Sequence, residues 1–200
     1  MLAKELYWDT ALKIRTLGRD GTHADEYRYP YEPTPYAVLE RLRDSGLIGE
    51  NDVVLDYGCG KGRVDFFLSH ETEARTIGVE YDESIYNYAV ENQKATPFGE
   101  KSRFFLGRAE AYEVPHEVTG CYFFNPFSAE LLHTVMARIL ESYYEAPREI
   151  FLYFYFPSDE YVSYLMTVDE LDFYDEIPCD DLFPENYKRE RILIFTLPSF

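Results

Sequence analysis

The residues most suited to chemistry in this sequence are the glycines and acids around positions 53–63. The apolar, β-prone run Val53–Leu55 ends in the carboxylate of Asp56, and a G-x-G-x-G loop follows at 58–62. The three glycines of that loop are Gly58, Gly60 and Gly62. A strand, a glycine turn and a helix N-terminus bring a ligand against bare backbone and exposed N–H groups. The stretch therefore predicts a binding loop between a strand and a helix.

A second acid closes the next predicted strand, about twenty residues beyond the glycine loop. Glu80 ends the run Arg75–Glu80, and Tyr81 comes directly after it. A carboxylate at this place can accept hydrogen bonds from both hydroxyls of a ribose, with charge assistance. We therefore expect Glu80 to bind a ribose and Tyr81 to lie against an adenine face. An ordinary surface acid and a packing ring are the alternatives.

Alternating strand and helix patterns position these residues and predict an α/β fold. The predicted strands are Val53–Asp56, Arg75–Glu80, Ser102–Leu106, Cys121–Phe124, Glu149–Phe156, Leu171–Pro178 and Arg191–Leu197. Repeated strand–helix units with short connections demand a parallel sheet with helices on both faces. The unbroken apolar run Glu149–Phe156 is expected inside the sheet. The turn-rich segment Cys179–Arg189 predicts a final hairpin, and therefore an antiparallel last strand.

The helical patterns are weaker at the beginning of the chain. Residues 1–18 are loosely helical, and Gly18 is expected to end that helix. Thr34 and Pro35 are predicted to be the N-cap and the first residue of the next helix, which runs to about Ser45. The other predicted helices are Arg63–His70, Glu83–Gln93, Ala129–Glu141 and Glu160–Met166.

Together these features resemble the class I, Rossmann-like methyltransferases that depend on S-adenosylmethionine (SAM). The resemblance covers about residues 50–197. It rests on the acid two residues before the first glycine, on the G-x-G-x-G spacing and on the terminal hairpin. Dinucleotide-binding loops instead space their glycines G-x-G-x-x-G. The resemblance implies a seven-stranded, mostly parallel sheet with an antiparallel last strand, helices on both faces, and SAM as cofactor.

The same resemblance implies a set of cofactor-binding residues. Asp56 would fix the glycine loop through backbone N–H groups, or bind the methionine part of SAM directly or through water. In the stretch 107–110, Arg108 stands where many of these enzymes carry an Asp, but a Gly-Arg-Ala-Glu variant brings Ala109 and Glu110 to the adenine. A turn with exposed charges is the alternative there. The full implied set is Asp56, Gly58, Gly60, Gly62, Glu80, Tyr81, Ala109, Glu110 and Asn125.

Asn125, Pro126 and Phe127 follow the fourth predicted strand. They look like a shortened form of the Asn-Pro-Pro-(Phe/Tyr) motif of amino methyltransferases. The resemblance implies that Asn125 accepts from the target nitrogen and that the ring of Phe127 stacks on the target. Methyl transfer is an in-line displacement in which alignment and exclusion of water do most of the work. A plain Asn-Pro turn is the alternative.

The charge of the protein bears on its acceptor. The 200 residues carry a net charge of −18 with a pI near 4.5, which repels phosphate backbones. Nucleic acid is therefore a poor partner, and we expect a small amine or a protein side chain as the methyl acceptor. The stretch Tyr31–Pro35 ahead of a helix, with Arg63 behind the last loop glycine, is loosely similar to small lysine methyltransferases.

One domain is expected, with residues 1–48 as an N-terminal segment and 49–200 as the core. The aromatic and proline-rich stretch Tyr27–Tyr36 is interpreted either as a lid over the ligand or as a packed linker. The three cysteines and four histidines show no metal-ligand spacing, so no metal site is predicted. No signal peptide or spanning apolar run is apparent, and a cytoplasmic location is expected.

Two other functions remain open at this point. The first is a catalytically silent SAM-binding subunit, because methyl transfer demands no general base. The second is an NAD(P)-binding oxidoreductase, which the glycine spacing and the terminal hairpin disfavour.

Overall fold

The computed structural model describes residues 2–19, 31–184 and 188–199. They form a seven-stranded sheet in the order β3-β2-β1-β4-β5-β7-β6. The strands are β1 Val53–Tyr57, β2 Arg75–Glu80, β3 Ser102–Leu106, β4 Gly120–Phe123, β5 Ile150–Tyr155, β6 Asp172–Pro178 and β7 Arg191–Leu197. Strand β7 runs antiparallel to the other six strands, so the predicted fold class and the terminal hairpin are confirmed.

Helices cover both faces of the sheet. They are α1 Leu2–Leu12, α2 Tyr36–Asp44, α3 Arg63–Glu71, α4 Glu83–Ala95, α5 Ala129–Glu145 and α6 Asp159–Leu165. The helices α5 and α6 pack on one core cluster, and α1, α2 and α3 pack on a second. Strand β1 contributes Leu55 to the first cluster and Val54 to the second, because successive side chains of a strand point to opposite faces. Burial on both faces explains the unbroken apolar runs.

The first helix is shorter than its sequence pattern predicts, so the prediction of a helix up to Gly18 is wrong. It ends at Leu12, and Lys13 takes a left-handed conformation with φ 57°. The carboxylate of Asp9 then accepts the Thr16 N–H at 2.8 Å and the Thr16 hydroxyl at 2.6 Å. This acid folds the chain back at a point where apolar residues alone indicate continued helix.

The start of α2 also differs from the prediction. Pro35, not Thr34, is the N-cap, and it forms no side-chain cap. The N–H of Tyr36 donates instead to Glu5 Oε1 at 3.1 Å, so a residue of α1 caps α2. The hydroxyl of Thr34 is buried 3.1 Å from the hydroxyl of Tyr122. Thr34 therefore joins the N-terminal segment to β4.

The other elements agree with prediction within a few residues, except that α5 runs on to Glu145. Strand β5 lies inside the sheet, between β4 and β7, as its apolar run predicts. Strand β6 is the exposed edge. Strand order reverses direction between β1 and β4, and the carboxyl ends of parallel strands there form the ligand crevice of such sheets.

Candidate active site at the carboxyl edge of the sheet

A cavity of about 540 Å³ opens at the carboxyl ends of the five parallel strands β1 to β5. Most of the residues implicated by the sequence line it. They are Asp56, Gly58, Glu80, Tyr81, Ala109, Glu110, Asn125, Pro126 and Phe127. Gly60 and Gly62 do not line the cavity. The fold therefore brings these residues together from the ends of β1, β2, β3 and β4, although they are spread over about seventy positions of the sequence.

The glycine loop touches both the turn at 125–127 and the N-terminal segment. A Cβ on Gly58 would lie 2.8 Å from the Cβ of Pro126, so only glycine lets the loop approach residues 125–127 this closely. A Cβ on Gly60 would lie 2.2 Å from the ring of Tyr31. Gly60 is thus covered by an aromatic side chain of the N-terminal segment.

Gly62 serves packing. It is the N-cap of α3, with φ 82°, and a Cβ there would lie 2.7 Å from Phe66 and 2.8 Å from Phe104. The third glycine of the motif therefore lets helix α3 lie close to the sheet, and its position does not bring it to the cavity.

Glu80 is both a brace of the loop and part of the cavity wall. Its Oε2 accepts the Gly60 N–H at 3.0 Å, and its Oε1 accepts the Asp82 N–H at 2.9 Å. The side chain is 6% exposed, and burial raises the pKa of Glu80 while the backbone donors act in the opposite direction. The carboxylate has about four lone-pair positions, and the backbone N–H groups of Gly60, Tyr81 and Asp82 use three of them, so it can still accept a hydroxyl from the cavity.

Asp56 lies beneath the loop but does not hold it. The Gly58 and Cys59 N–H groups donate to the Val79 carbonyl at 2.9 and 3.2 Å, and Glu80 takes the Gly60 N–H. The loop is therefore fixed by β2. Of the two tasks considered for Asp56, contact with a ligand in the cavity fits its position better than anchoring the loop.

Asp56 forms a buried pair with Asp65 of α3. Burial raises the pKa of Asp65 to about 7, and burial together with the charge of Asp65 raises the pKa of Asp56 well above its usual value. Asp56 Oδ2 and both Asp65 oxygens have no hydrogen-bond partner within the described residues. Because two neighbouring acids in apolar surroundings cannot both ionise, the pair retains at least one proton at neutral pH.

The turn after β4 carries an unsatisfied acceptor. Asn125 has φ 42°, and its buried Oδ1 has no hydrogen-bond partner among the described parts of the chain. Buried polar atoms rarely stay unpaired, so this atom favours a donor from a ligand. Phe127 is only 4% exposed and packs against Phe123, while its carbonyl accepts the Tyr161 hydroxyl at 2.6 Å. Its ring is mainly part of the core.

Sequence reasoning missed the partners of Arg63. This arginine is 2% exposed and forms an ion pair with Glu5. Its Nη2 lies 3.7 Å from Asp9 Oδ1, its Nε donates to Thr16 Oγ1 at 2.7 Å, and its Nη1 donates to the Thr34 carbonyl at 3.0 Å. The N-terminal segment is thereby attached to the start of α3. The only sequence signal was an arginine directly behind the loop.

Part of the aromatic and proline-rich stretch, which is interpreted as a lid or a packed linker, can be located. Residues 27–30 of the stretch Tyr27–Tyr36 lie outside the described residues, whereas residues 31–35 line the cavity. The Tyr31 hydroxyl donates to the Thr16 carbonyl at 2.6 Å, and Lys61 Nζ lies 4.8 Å from the centre of its ring. Tyr31 is therefore held from both sides against the glycine loop.

A second wall of the cavity was also missed. It consists of aromatic rings and acids that lie in or directly after β4 and β5, or that come from the N- and C-terminal segments. Its members are Glu32, Tyr122, Phe124, Tyr155, Phe156, Phe183 and Glu190. The signal that could have found Phe156 was its place directly after a strand whose carboxyl end had to face the crevice.

The described ranges contain no group of three or more His, Cys, Asp or Glu side chains that could hold a metal ion. The three cysteines are free and buried. No helix in the described ranges combines the length and apolar character needed to cross a membrane.

No protein-family model matches the chain. A protein-lysine N-methyltransferase of Saccharolobus islandicus is 31% identical over 64 residues, which make up 32% of this chain and 40% of that protein. A tRNA1(Val) (adenine(37)-N6)-methyltransferase of Flavobacterium johnsoniae is 38% identical over 80 residues, 38% of this chain and 34% of that protein. The matches thus span less than half the length of either relative.

Solved structures show the same fold. An RNA methyltransferase of Salinibacter ruber in complex with S-adenosyl-L-homocysteine aligns with a TM-score of 0.55 at 19% identity, over 84% of this chain and 95% of that one. A proposed RNA methyltransferase of Pyrococcus horikoshii aligns with a TM-score of 0.61 at 16% identity, over 100% and 99%. These names include RNA enzymes, so the comparisons do not support our expectation that nucleic acid is a poor partner.

Proposed function

Since the chain has the fold of the class I SAM-dependent methyltransferases and local sequence similarity to them, we propose that it transfers a methyl group from SAM to a nitrogen atom. The observation that carries this proposal is the double placement of Glu80, which holds Gly60 and also lines the cavity. A ligand sugar at Glu80 would lie beside the glycine loop, as a nucleoside cofactor requires.

The cavity residues at the carboxyl ends of β1, β2 and β3 fit such a nucleoside. Glu80 would accept the ribose hydroxyls, and Tyr81 would lie against the adenine, with Ala109 and Glu110 on its other side. Asp56, deeper in the cavity, would meet the methionine part. When bound there, SAM supplies a methyl group that its sulfonium already activates.

The turn at 125–127 supplies the alignment. The unpaired Oδ1 of Asn125 would accept an N–H of the acceptor and so aim the nitrogen lone pair. Pro126 lies against Gly58 and keeps this turn beside the loop. The unsatisfied acceptor favours an active enzyme over a silent cofactor-binding subunit, because a silent subunit has no use for it.

We further propose an amine or a protein side chain as acceptor, in preference to nucleic acid. Acids outnumber bases among the charged residues that line the cavity, and Arg63 is already paired with Glu5. Phosphate groups would therefore meet a negative surface in addition to the net charge of −18.

Thermal shift assays with SAM, S-adenosylhomocysteine and NAD test the cofactor. A ligand at a hundred times its dissociation constant should add about 2.7 kcal/mol to the free energy of unfolding. We expect this stabilisation with SAM and S-adenosylhomocysteine, and its loss in Glu80→Ala. Stabilisation by NAD alone would point to the oxidoreductase alternative.

Turnover is tested separately. Asn125→Ala should keep cofactor binding, but its rate of methyl transfer to lysate acceptors should fall at least tenfold. Mass spectrometry with isotopically labelled SAM measures this rate. Unchanged turnover in this variant would remove the role of Asn125. No transfer by the wild-type protein to any lysate acceptor would favour the silent subunit.

A further inference from the structure

The second wall of the cavity contains an acid held among aromatic rings. The hydroxyl of Tyr155 donates to Glu190 Oε2 at 2.6 Å, which leaves Glu190 Oε1 for another donor. The ring of Tyr155 is buried, and its centre lies 4.6 Å from that of Phe124. A carboxylate beside flat aromatic faces is the pattern that binds organic cations, through charge and through cation–π attraction.

The backbone next to this acid is strained and held in place. Phe156 directly follows β5 and has φ 51°, a left-handed conformation that is unusual for a bulky residue. Arg189 fixes it, since the guanidinium lies 4.4 Å from the Phe156 ring centre and Nε donates to the Pro157 carbonyl at 3.1 Å. Asn125, with φ 42°, occupies the equivalent place after the neighbouring strand β4. Such strain concentrates at functional sites.

The charges around Glu190 favour a cation. Burial raises the pKa of Glu190, the bond from Tyr155 lowers it, and the nearby charge of Glu32 raises it again, with Arg189 acting in the opposite direction. Arg19 lies 3.8 Å from Glu32, but both side chains are more than half exposed, so their pairing is weak. A positively charged ligand would relieve the repulsion between the two acids.

We propose that Glu190, with the rings of Phe124, Tyr155 and Phe156, forms the acceptor subsite for a primary alkylammonium group. The proposal rests on the methyltransferase function inferred above, and it names the acceptor class for the same cavity. The alkyl chain would lie along the rings, and the charged nitrogen would meet Glu190. Both a lysine side chain and a free aliphatic amine have this chemistry.

The subsite also accounts for the proton of the reaction. An ammonium nitrogen has no lone pair, so it must first lose a proton, and the Glu190 carboxylate beside it would accept that proton. The nitrogen lone pair would then form the new N–C bond with the methyl group of SAM, while the S–C bond would break and leave its electron pair on sulfur. The product is the N-methylammonium, and Glu190 returns its proton to solvent. A raised pKa suits Glu190 to accept this proton.

A nucleobase fits the subsite less well. Its exocyclic amine is neutral, so it would stack on the rings but would gain no charge attraction from Glu190. The phosphates of the nucleic acid that carries the base would meet Glu32 and Glu190 at the cavity wall.

The test is a calorimetric titration with n-butylammonium chloride, n-butanol and adenosine, with and without S-adenosylhomocysteine. The wild-type protein should bind n-butylammonium, and Glu190→Gln should weaken this binding at least tenfold. The matched control is Glu170→Gln, because Glu170 also accepts a tyrosine hydroxyl, that of Tyr144 at 2.7 Å, but lies outside the cavity. The control should bind as the wild type does. If near-ultraviolet circular dichroism shows that Glu190→Gln is unfolded, Tyr155→Phe replaces it, with at least a threefold loss expected.

The outcomes separate the subsite from the proposed function. Stabilisation by S-adenosylhomocysteine without n-butylammonium binding, or with equal binding in Glu190→Gln, would overturn the subsite and leave the methyltransferase proposal standing. Binding of n-butylammonium without any stabilisation by S-adenosylhomocysteine would overturn the methyltransferase proposal, and the wall would then be an ammonium-binding site without the role of acceptor subsite. Adenosine binding tighter than n-butylammonium and unchanged in Glu190→Gln would assign this wall to a nucleobase. Comparing a lysine-containing peptide with n-butylammonium distinguishes the two sources of the amine.

Discussion

Two neighbouring regions of this protein bury carboxylates in opposite ways. In the N-terminal cover, which we define as α1 with residues 13–19 and 31–35, Glu5 and Asp9 surround the buried guanidinium of Arg63. Beneath the glycine loop, Asp56 and Asp65 form a buried pair that no ion pair joins to a cation in the described parts of the chain, and burial raises the pKa of both.

The presence or absence of a paired cation distinguishes acids that stabilise the fold from acids that are available to a ligand. A buried acid with a fixed cation is neutralised within the protein, so Glu5 and Asp9 serve to attach the cover to α3. A buried acid without one destabilises the empty protein and is stabilised by a cationic ligand. SAM carries a positive sulfonium, and Asp56 of this pair lines the cavity in which we place it.

The largest expected effect comes from removing the cation of the N-terminal cover. Arg63→Met leaves Glu5 and Asp9 buried without their partner, and this should lower the free energy of unfolding by about 3–5 kcal/mol. Urea denaturation monitored by the fluorescence of Trp8 measures it. Arg138→Met is the control, because Arg138 forms an exposed pair with Glu141 and its loss should change stability by less than about 1 kcal/mol. Equal effects of the two substitutions would contradict the comparison.

The junction of the two regions is tested at Gly60. Gly60→Ala forces an alanine into a left-handed conformation and drives its Cβ into the Tyr31 ring, so we expect a loss of about 2–3 kcal/mol in stability and weaker cofactor binding. Gly107→Ala is the matched control, since nothing lies within 4 Å of a Cβ at that position. If Gly60→Ala leaves the free energy of unfolding unchanged, the Tyr31 ring does not press on the loop.

The uncompensated pair should give a characteristic dependence on pH. The folded pKa of Asp65 is about 7, above the ordinary value of 3.8, so the folded state binds more protons than the unfolded state between these values. Stability therefore falls as pH rises through this window. Asp65→Asn should make this fall shallower and raise the free energy of unfolding at pH 8 by about 1–2 kcal/mol.

Denaturation midpoints from pH 5 to pH 8 measure the effect of Asp65→Asn. Asp44→Asn is the control, because Asp44 is exposed and its bond from Arg43 lowers its pKa. A destabilised Asp65→Asn at pH 8 would mean that the ionised carboxylate is compensated by a group of the protein.

The smallest expected effect concerns one hydroxyl of the cover. Tyr31→Phe keeps the ring over Gly60 and removes only the hydrogen bond to the Thr16 carbonyl, so we expect a loss of about 1 kcal/mol. Tyr144→Phe removes an exposed bond to Glu170 and should have a smaller effect. A Tyr31→Phe loss as large as that of Gly60→Ala would mean that the hydroxyl, and not the ring, holds the loop.

The sequence alone was enough to predict the order of strands and helices, and to predict that Asp56 and Glu80 would lie at the carboxyl edge of the sheet. Strand β1 shows itself by an apolar run and β2 by its β-branched residues, and Asp56 and Glu80 are recognisable because each closes such a pattern. These features depend on residues that are close in the sequence, so their spacing already determines them. Parallel strands must also bring their carboxyl ends to one edge, which gathers these acids at one crevice.

Only the tertiary structure decided what each residue touches. Helix α2 is capped by Glu5, and the third glycine of the motif packs against Phe66 and Phe104. Glu190 accepts a hydrogen bond from Tyr155, which lies thirty-five positions away in the sequence. No local pattern encodes these contacts, because each depends on where two separately formed elements come to rest. The physical reason is that a charged group or a hydroxyl that is buried needs a hydrogen-bond partner. The fold, not the neighbouring sequence, determines which partner is within reach.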